Sequence, residues 1–141
     1  MFVLIVGAGR VGSAVAKRAI ARGCDVSVLD EDPLSHERLD DPLEGSWEDR
    51  GGRFTVGTAL EVDALLEAGI EDADVFIAST NGDNTNLVVA QIAQRRFEVD
   101  RVIARVLDPR RAAWYSEQGL RTICPTQIAI EQLQQAALSE L

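Results

Sequence analysis

Gly7-Ala8-Gly9-Arg10-Val11-Gly12 is a G-x-G-x-x-G run that directly follows a short apolar stretch and opens a helical pattern. In that context the spacing suits a pyrophosphate. Gly7 allows the tight turn, Gly9 lets backbone approach the phosphates, and Gly12 lets helix and strand pack closely. Backbone N–H groups at the start of the helix, including those near Arg10 and Val11, then face the anion. The Arg10 side chain fits the same reading. A cation in a first helical turn is disfavoured by about 0.3–1 kcal/mol, and a bound phosphate would reverse that sign.

Asp30 lies eighteen residues beyond Gly12, at the end of a second apolar run. A carboxylate there can accept hydrogen bonds from both ribose hydroxyls, and it repels a 2′-phosphate. Glu31 beside it adds to the repulsion. The expected ligand therefore has an unphosphorylated adenosine ribose: NAD(H), ATP, ADP or AMP rather than NADP. Thr80 and Asn81 follow a fourth apolar run, at the sheet edge where ligands sit in open α/β folds. Asp83 reads as a helix cap, and Asn84 and Asn86 as caps or contacts.

Residues for catalysis are missing from the pattern. His36 stands alone in an acidic stretch and is expected to be solvent-exposed. Tyr115 has Gly119, not Lys, four residues on. No Ser-His-Asp or Cys-His arrangement is visible. Asp30 and Asp32 begin like a calcium loop, but Leu34 and Ser35 break the spacing. The nucleotide fold consumes the chain and leaves no substrate domain, so binding is favoured over catalysis, with no catalytic or metal-ligating residue assigned.

The elements that must position these residues alternate. Phe2–Val6, Val26–Asp30, Arg53–Gly57, Asp74–Ser79, Arg101–Val106 and Arg121–Cys124 read as strands, the first as a run buried on both faces. Val11, Ala14, Val15 and Ala19 recur at helical spacing, and Gly23 is a helix stop. Thr58-Ala-Leu-Glu61 reads as a capping box opening a helix that Gly69 stops. Asn81–Asn86 leads into a helix through Arg95. Asp108-Pro109 is an N-cap followed by proline at the first helical position, for a helix ending at Gly119. Pro125 and Thr126 open a last helix to about Leu138, the terminal element over 125–140. Ile128, Ala129, Leu133, Ala136 and Ala137 lie on one side of it, a stripe that suits packing on a partner lobe or on its own domain equally. Six strands alternating with helices specify a parallel sheet covered on both sides.

The chain has 141 residues, which fits one domain over 1–141. Net charge is −9, but residues 30–49 hold nine acids against Arg38 and so supply −8 of it. Acidity thus belongs to one segment, 31–52, too long for an ordinary connection and either functional or partly disordered. An acidic chain with no basic face is not expected to bind nucleic acid. Cys24 and Cys124 are a hundred residues apart with no Cys-x-x-Cys, and are expected to be buried, reduced thiols. The apolar runs are too short to span a bilayer, and the first residues lack a basic leader region. The expected place is the reducing cytosol, with no direct membrane insertion.

Taken in order, the glycine run with Arg10, Asp30, Gly57-Thr58-Ala59, the run Glu67-Ala-Gly-Ile-Glu-Asp-Ala-Asp74, Thr80 with Asn84 and Asn86, Ala104-Arg105, Asp108-Pro109 and Pro125 resemble the N-terminal domain of the regulator-of-potassium-conductance family, also called RCK, KTN or TrkA-N. The resemblance covers nearly the whole chain except 32–52. It implies a Rossmann-like, doubly wound six-stranded parallel sheet of order 3-2-1-4-5-6. It also implies a cytoplasmic regulatory subunit of a Trk- or Ktr-type potassium uptake system, held at the inner face of the membrane by its partner. Such domains bind NAD(H) or adenine nucleotides, form homo-oligomers (dimers or rings of dimers), and gate a membrane potassium-transporting subunit as ligands change the assembly. Carried over, Gly7, Gly9, Arg10 and Gly12 would hold phosphates and Asp30 the ribose. Thr58 and Ala59 would lie near the adenine, and Thr80, Asn81 and Arg105 near the cleft. The family usually has Asp where this chain has Thr58, and usually continues into a smaller C-terminal lobe. Two other readings stay open: an NAD-dependent oxidoreductase fragment lacking its catalytic domain, and an assembly module with a degenerate nucleotide site.

Overall fold

A computed structural model describes residues 1–140. The strands are β1 (Phe2–Val6), β2 (Asp25–Asp30), β3 (Arg53–Val56), β4 (Val75–Ala78), β5 (Arg101–Arg105) and β6 (Arg121–Ile123). The helices are α1 (Arg10–Ala21), α2 (Val62–Ala68), α3 (Asp83–Arg95), α4 (Pro109–Glu117) and α5 (Pro125–Leu138), with 3₁₀ turns at Pro33–Arg38 and Ile70–Asp72. All six strands pair in parallel in the order β3-β2-β1-β4-β5-β6. The order reverses between β1 and β4, so the connections leaving their carboxyl ends turn to opposite faces of the sheet and leave a crevice, the place where open α/β sheets take ligands.

Strand alternation splits the core into two layers. Leu4, Val6, Leu29, Phe76 and Ala104 face the layer that includes Leu65 of α2, Leu87 and Ala90 of α3, and Ala112 of α4. Val3, Ile5, Val26, Val28 and Val75 face α1 through Ala16, together with Leu39 and Trp47 of the acidic segment. Coverage on both sides does not extend across the second face. Ile77 pairs with Ile103, and Arg105 with Ile123, on that face. Ile77 and Ile103 are only half-buried there, and Ile123 is exposed.

The acidic segment, expected to be either functional or partly disordered, packs on the sheet through a 3₁₀ turn and a series of further turns. Trp47 is fully buried, and its indole Nε1 donates to the Arg53 carbonyl at 2.9 Å. The Trp47 N–H donates to Asp40 at 2.8 Å. Gly52 has no side chain because a Cβ there would sit 2.1 Å from the indole. One tryptophan and Leu39 thus anchor on the sheet a strand connection that lacks a regular helix.

Three local readings change, and one left open is decided. The capping box does not form: Thr58-Glu61 is a turn closed by Glu61 N–H to the Thr58 carbonyl at 3.0 Å, and α2 starts at Val62 with Glu61 as its N-cap. Ala59 is buried against the core instead of starting the helix. Asp83 is not a cap, since Gly82 holds that position; its carboxylate accepts from the N–H groups of Leu107 (2.7 Å) and Asp108 (3.1 Å), tying α3 to the turn after β5. The cysteines are free but half-buried, and the Cys124 thiol caps α5. On α5 no residue is buried, and Ile128, Ile130, Leu133 and Leu138 are exposed, so the helix does not pack its stripe on its own domain.

Candidate functional site

A cleft of about 430 Å³ opens at the carboxyl edge of β1, β2 and β4. Of the residues singled out in the sequence, Gly7, Gly9, Asp30, Glu31, Thr58, Ala59, Thr80 and Asn81 line it. Ala8 and Gly12 are buried beneath the loop, while Arg10 and Val11 are exposed at the start of α1 and do not line the wall.

Sequence dictates this glycine loop in two ways. Gly7 has φ +101°, and a Cβ on it would lie 2.8 Å from the Ser79 backbone. A Cβ on Gly12 would lie 1.8 Å from the Gly7 carbonyl oxygen. Both positions are glycine because the protein itself leaves no room. Gly9 is different. Its φ of −73° and ψ of −162° suit any residue, and a Cβ would meet nothing within 4 Å. Gly9 is also the N-cap of α1, which has no side-chain cap and no acid in its first turn. The helix therefore presents uncapped N–H groups and positive dipole at an open glycine surface.

Asp30 borders this loop. One carboxylate oxygen accepts from Ala8 N–H at 2.7 Å and the other from Asp32 N–H at 2.8 Å. An ionised carboxylate oxygen accepts more than one hydrogen bond, so Asp30 holds the loop and still has lone pairs for a ligand. Across the crevice, Ser79 Oγ donates within reach of the Val6 (3.1 Å) and Gly7 (3.2 Å) carbonyls, fastening β4 to the loop.

Thr80 is largely committed to the fold. Its N–H and hydroxyl donate to Asn86 Oδ1 at 2.9 and 2.7 Å, and its carbonyl accepts from Asn86 Nδ2 (3.0 Å) and Arg105 Nη2 (2.9 Å). Asn86 is buried and also donates to the Arg105 carbonyl at 2.9 Å. Arg105 thus braces the turn after β4 and does not line the cleft.

The lining residues that sequence reasoning missed include Asp32, Ser35 and Arg38. A signal was present. Asp32-Pro33 has the same N-cap and proline pattern as Asp108-Pro109, and Asp32 Oδ1 accepts from Leu34 N–H at 2.9 Å to start the 3₁₀ turn. His36 was expected to be exposed, but it is half-buried and clamped. Its Nε2 meets Glu48 at 2.5 Å and its Nδ1 meets Asp40 at 3.6 Å. The three side chains could bring ligand atoms within 4.8 Å of one another, but the carboxylates flank opposite ring nitrogens, Glu48 by a hydrogen bond and Asp40 by a longer contact.

The model of the TrkA-N domain matches residues 3–126. This chain belongs to the TrkA-N domain family. Among curated relatives, a Trk system potassium uptake protein TrkA of Streptomyces coelicolor is 40% identical over 133 residues, 94% of this chain and 56% of that protein. The protein of the same name in Mycobacterium tuberculosis is 34% identical over 110 residues, 78% of this chain and 46% of that one. The chain spans about half the length of these relatives. The TrkA-N domain of the Escherichia coli inner membrane protein ybaL superposes with a TM-score of 0.80 at 19% identity, covering 96% of each chain. The AMP-bound Kef C-terminal domain of Shewanella denitrificans has a TM-score of 0.78 at 24% identity, over 99% of this chain and 80% of that one. ADP-bound GsuK reaches 0.77 at 19% identity, over 99% of this chain and 34% of that one. These solved structures thus share the α/β fold of this chain. Among the described residues, no helix is long and apolar enough to cross a membrane.

Proposed function

We propose that this TrkA-N domain is the nucleotide-sensing part of a Trk-type potassium uptake regulator. It binds NAD(H) or an adenine nucleotide in the β1/β4 cleft and passes the ligand state to a membrane potassium-transporting subunit through changes in assembly. It acts by binding, without turnover, at the cytoplasmic face of the membrane. The observation that carries this reading is Gly9. Nothing in the protein requires glycine there, yet that position faces an uncapped helix N-terminus, where a phosphate needs close backbone approach. Phosphates would lie on the N–H groups of the α1 start with Arg10 nearby, the ribose against Asp30, and the adenine toward Thr58 and Ala59. Relatives named as Trk potassium uptake proteins and AMP- and ADP-bound structural neighbours support the choice. In mechanism, ligands that bind one assembly state more tightly shift its population.

Thermal stability with NAD, NADH, NADP, ATP, ADP and AMP tests the reading. A ligand at 100 times its Kd adds about 2.7 kcal/mol, a shift of several degrees. The expected result is a shift with NAD(H) or adenine nucleotides and a smaller one with NADP. No shift with any of them would leave an assembly module, and turnover of NADH with small carbonyl compounds would favour an oxidoreductase fragment.

A further inference from the structure

We infer that Arg38, from the acidic segment, is a specificity-determining residue of the cleft: its guanidinium donates to the hydroxyl oxygens of a ribose whose hydroxyl hydrogens Asp30 accepts. The inference rests on the nucleotide reading above. Arg38 is the sole base among residues 30–49, and it lines the cleft wall with Asp30, Asp32 and Ser35. Its Nη1 reaches the Ala8 carbonyl at 3.4 Å and the Ser35 hydroxyl at 3.3 Å, both long contacts. Among the described residues it makes no ion pair, although Asp30, Glu31 and Asp32 line the same cleft. Most of its N–H donors therefore have no protein acceptor.

The placement relative to Asp30 identifies the ligand group. Asp30 accepts the N–H of Ala8, and Arg38 approaches the carbonyl of the same residue. An acceptor and a donor flank one residue of the loop, face one cleft, and do not pair with each other. A hydroxyl satisfies both, since it donates one hydrogen and accepts on oxygen. A vicinal diol does so with two such groups. A phosphate ester in place of one hydroxyl would suit Arg38 but has no hydrogen for Asp30 and meets its charge. The pair therefore selects a free ribose diol over both deoxyribose and 2′-phosphorylated ribose.

Calorimetric titration with ADP and 2′,3′-dideoxy-ADP, on the wild-type chain and on Arg38→Ala and Arg38→Gln, tests this. A hydrogen bond from a charged donor is worth about ten- to hundredfold in affinity. Arg38→Ala should weaken ADP by that factor and change dideoxy-ADP by less than about twofold. Arg38→Gln, which keeps an N–H donor, should lose less for ADP. Equal losses for both ligands would mean a general charge or folding role and would overturn the inference, as would no loss for either. The unliganded melting temperature of each variant separates misfolding from lost contact. A wild-type chain that binds none of ADP, AMP and NADH would overturn the nucleotide reading and this inference with it.

Discussion

Gly9 and Gly12 have one residue type but different physical reasons for it. Alanine at Gly12 puts a Cβ into the Gly7 carbonyl, where backbone cannot yield cheaply. Gly12→Ala should cost about 2 kcal/mol or more in urea unfolding. Gly9→Ala meets open space and should change stability by less than about 0.5 kcal/mol, while abolishing the nucleotide-induced thermal shift. A Gly9→Ala variant that binds normally would remove the main support for the cleft as a phosphate site. Asp41 offers a pH test at the same scale. Its carboxyl lies below the ordinary 3.8, held there by the Leu43 N–H and then the Glu44 N–H. A lowered folded pKa means that the stabilisation is present above the unfolded value and fades as pH falls below about 4 through the folded one. Backbone amide shifts of Leu43 and Glu44 should therefore move only in acid, and Asp41→Asn should flatten that titration. The glycine roles and Asp30 were legible in the sequence because each is a local demand of the turn. Arg38 was not, because its place depends on how a segment without periodicity folds back onto Ala8.

At the scale of elements, the strands were the most readable parts. Phe2–Val6 is apolar throughout because β1 has neighbours on both edges and packs on both faces. The start of α2 was misread because Thr58-x-x-Glu61 carries a capping signature, whereas burial of Ala59 and the turn at the cleft override it. The acidic segment looked irregular by composition, yet one indole decides its fold. Trp47→Ala removes a fully buried ring and its bond to the Arg53 carbonyl. The expected cost is about 3–5 kcal/mol, read as a lower urea midpoint. Since the same segment places Ser35 and Arg38 on the cleft, residual folded Trp47→Ala should also bind ADP more weakly. A variant that lost neither stability nor affinity would show that the segment packs independently of the site.

For the whole molecule, the uneven cover of the sheet matters most. Helical periodicity gave α5 an apolar stripe but could not say what it faces, since a helix against its own core and one against a partner read alike. The fold leaves Ile128, Ile130, Leu133 and Leu138 exposed on α5, and leaves Ile77 and Ile103 half-buried and Ile123 exposed on the β4–β6 side of the second face. A lone chain gains nothing from such surfaces, because exposed apolar area costs about 25 cal/mol per Å² relative to burial. A second copy that buries them would regain that energy, in keeping with the proposed assembly of regulatory domains. Light scattering on the chain at about 100 µM should then report a dimer or larger species. Ile130→Glu with Leu133→Glu should shift it to the monomer, because a charge cannot enter an apolar contact unpaired. These side chains are exposed and belong to neither core layer, so the double variant should keep its urea midpoint per chain at low concentration and its thermal shift with ADP. A wild-type chain that stays monomeric at that concentration would mean that these surfaces meet a different partner, and the ligand signal would then have to pass through that partner rather than between copies.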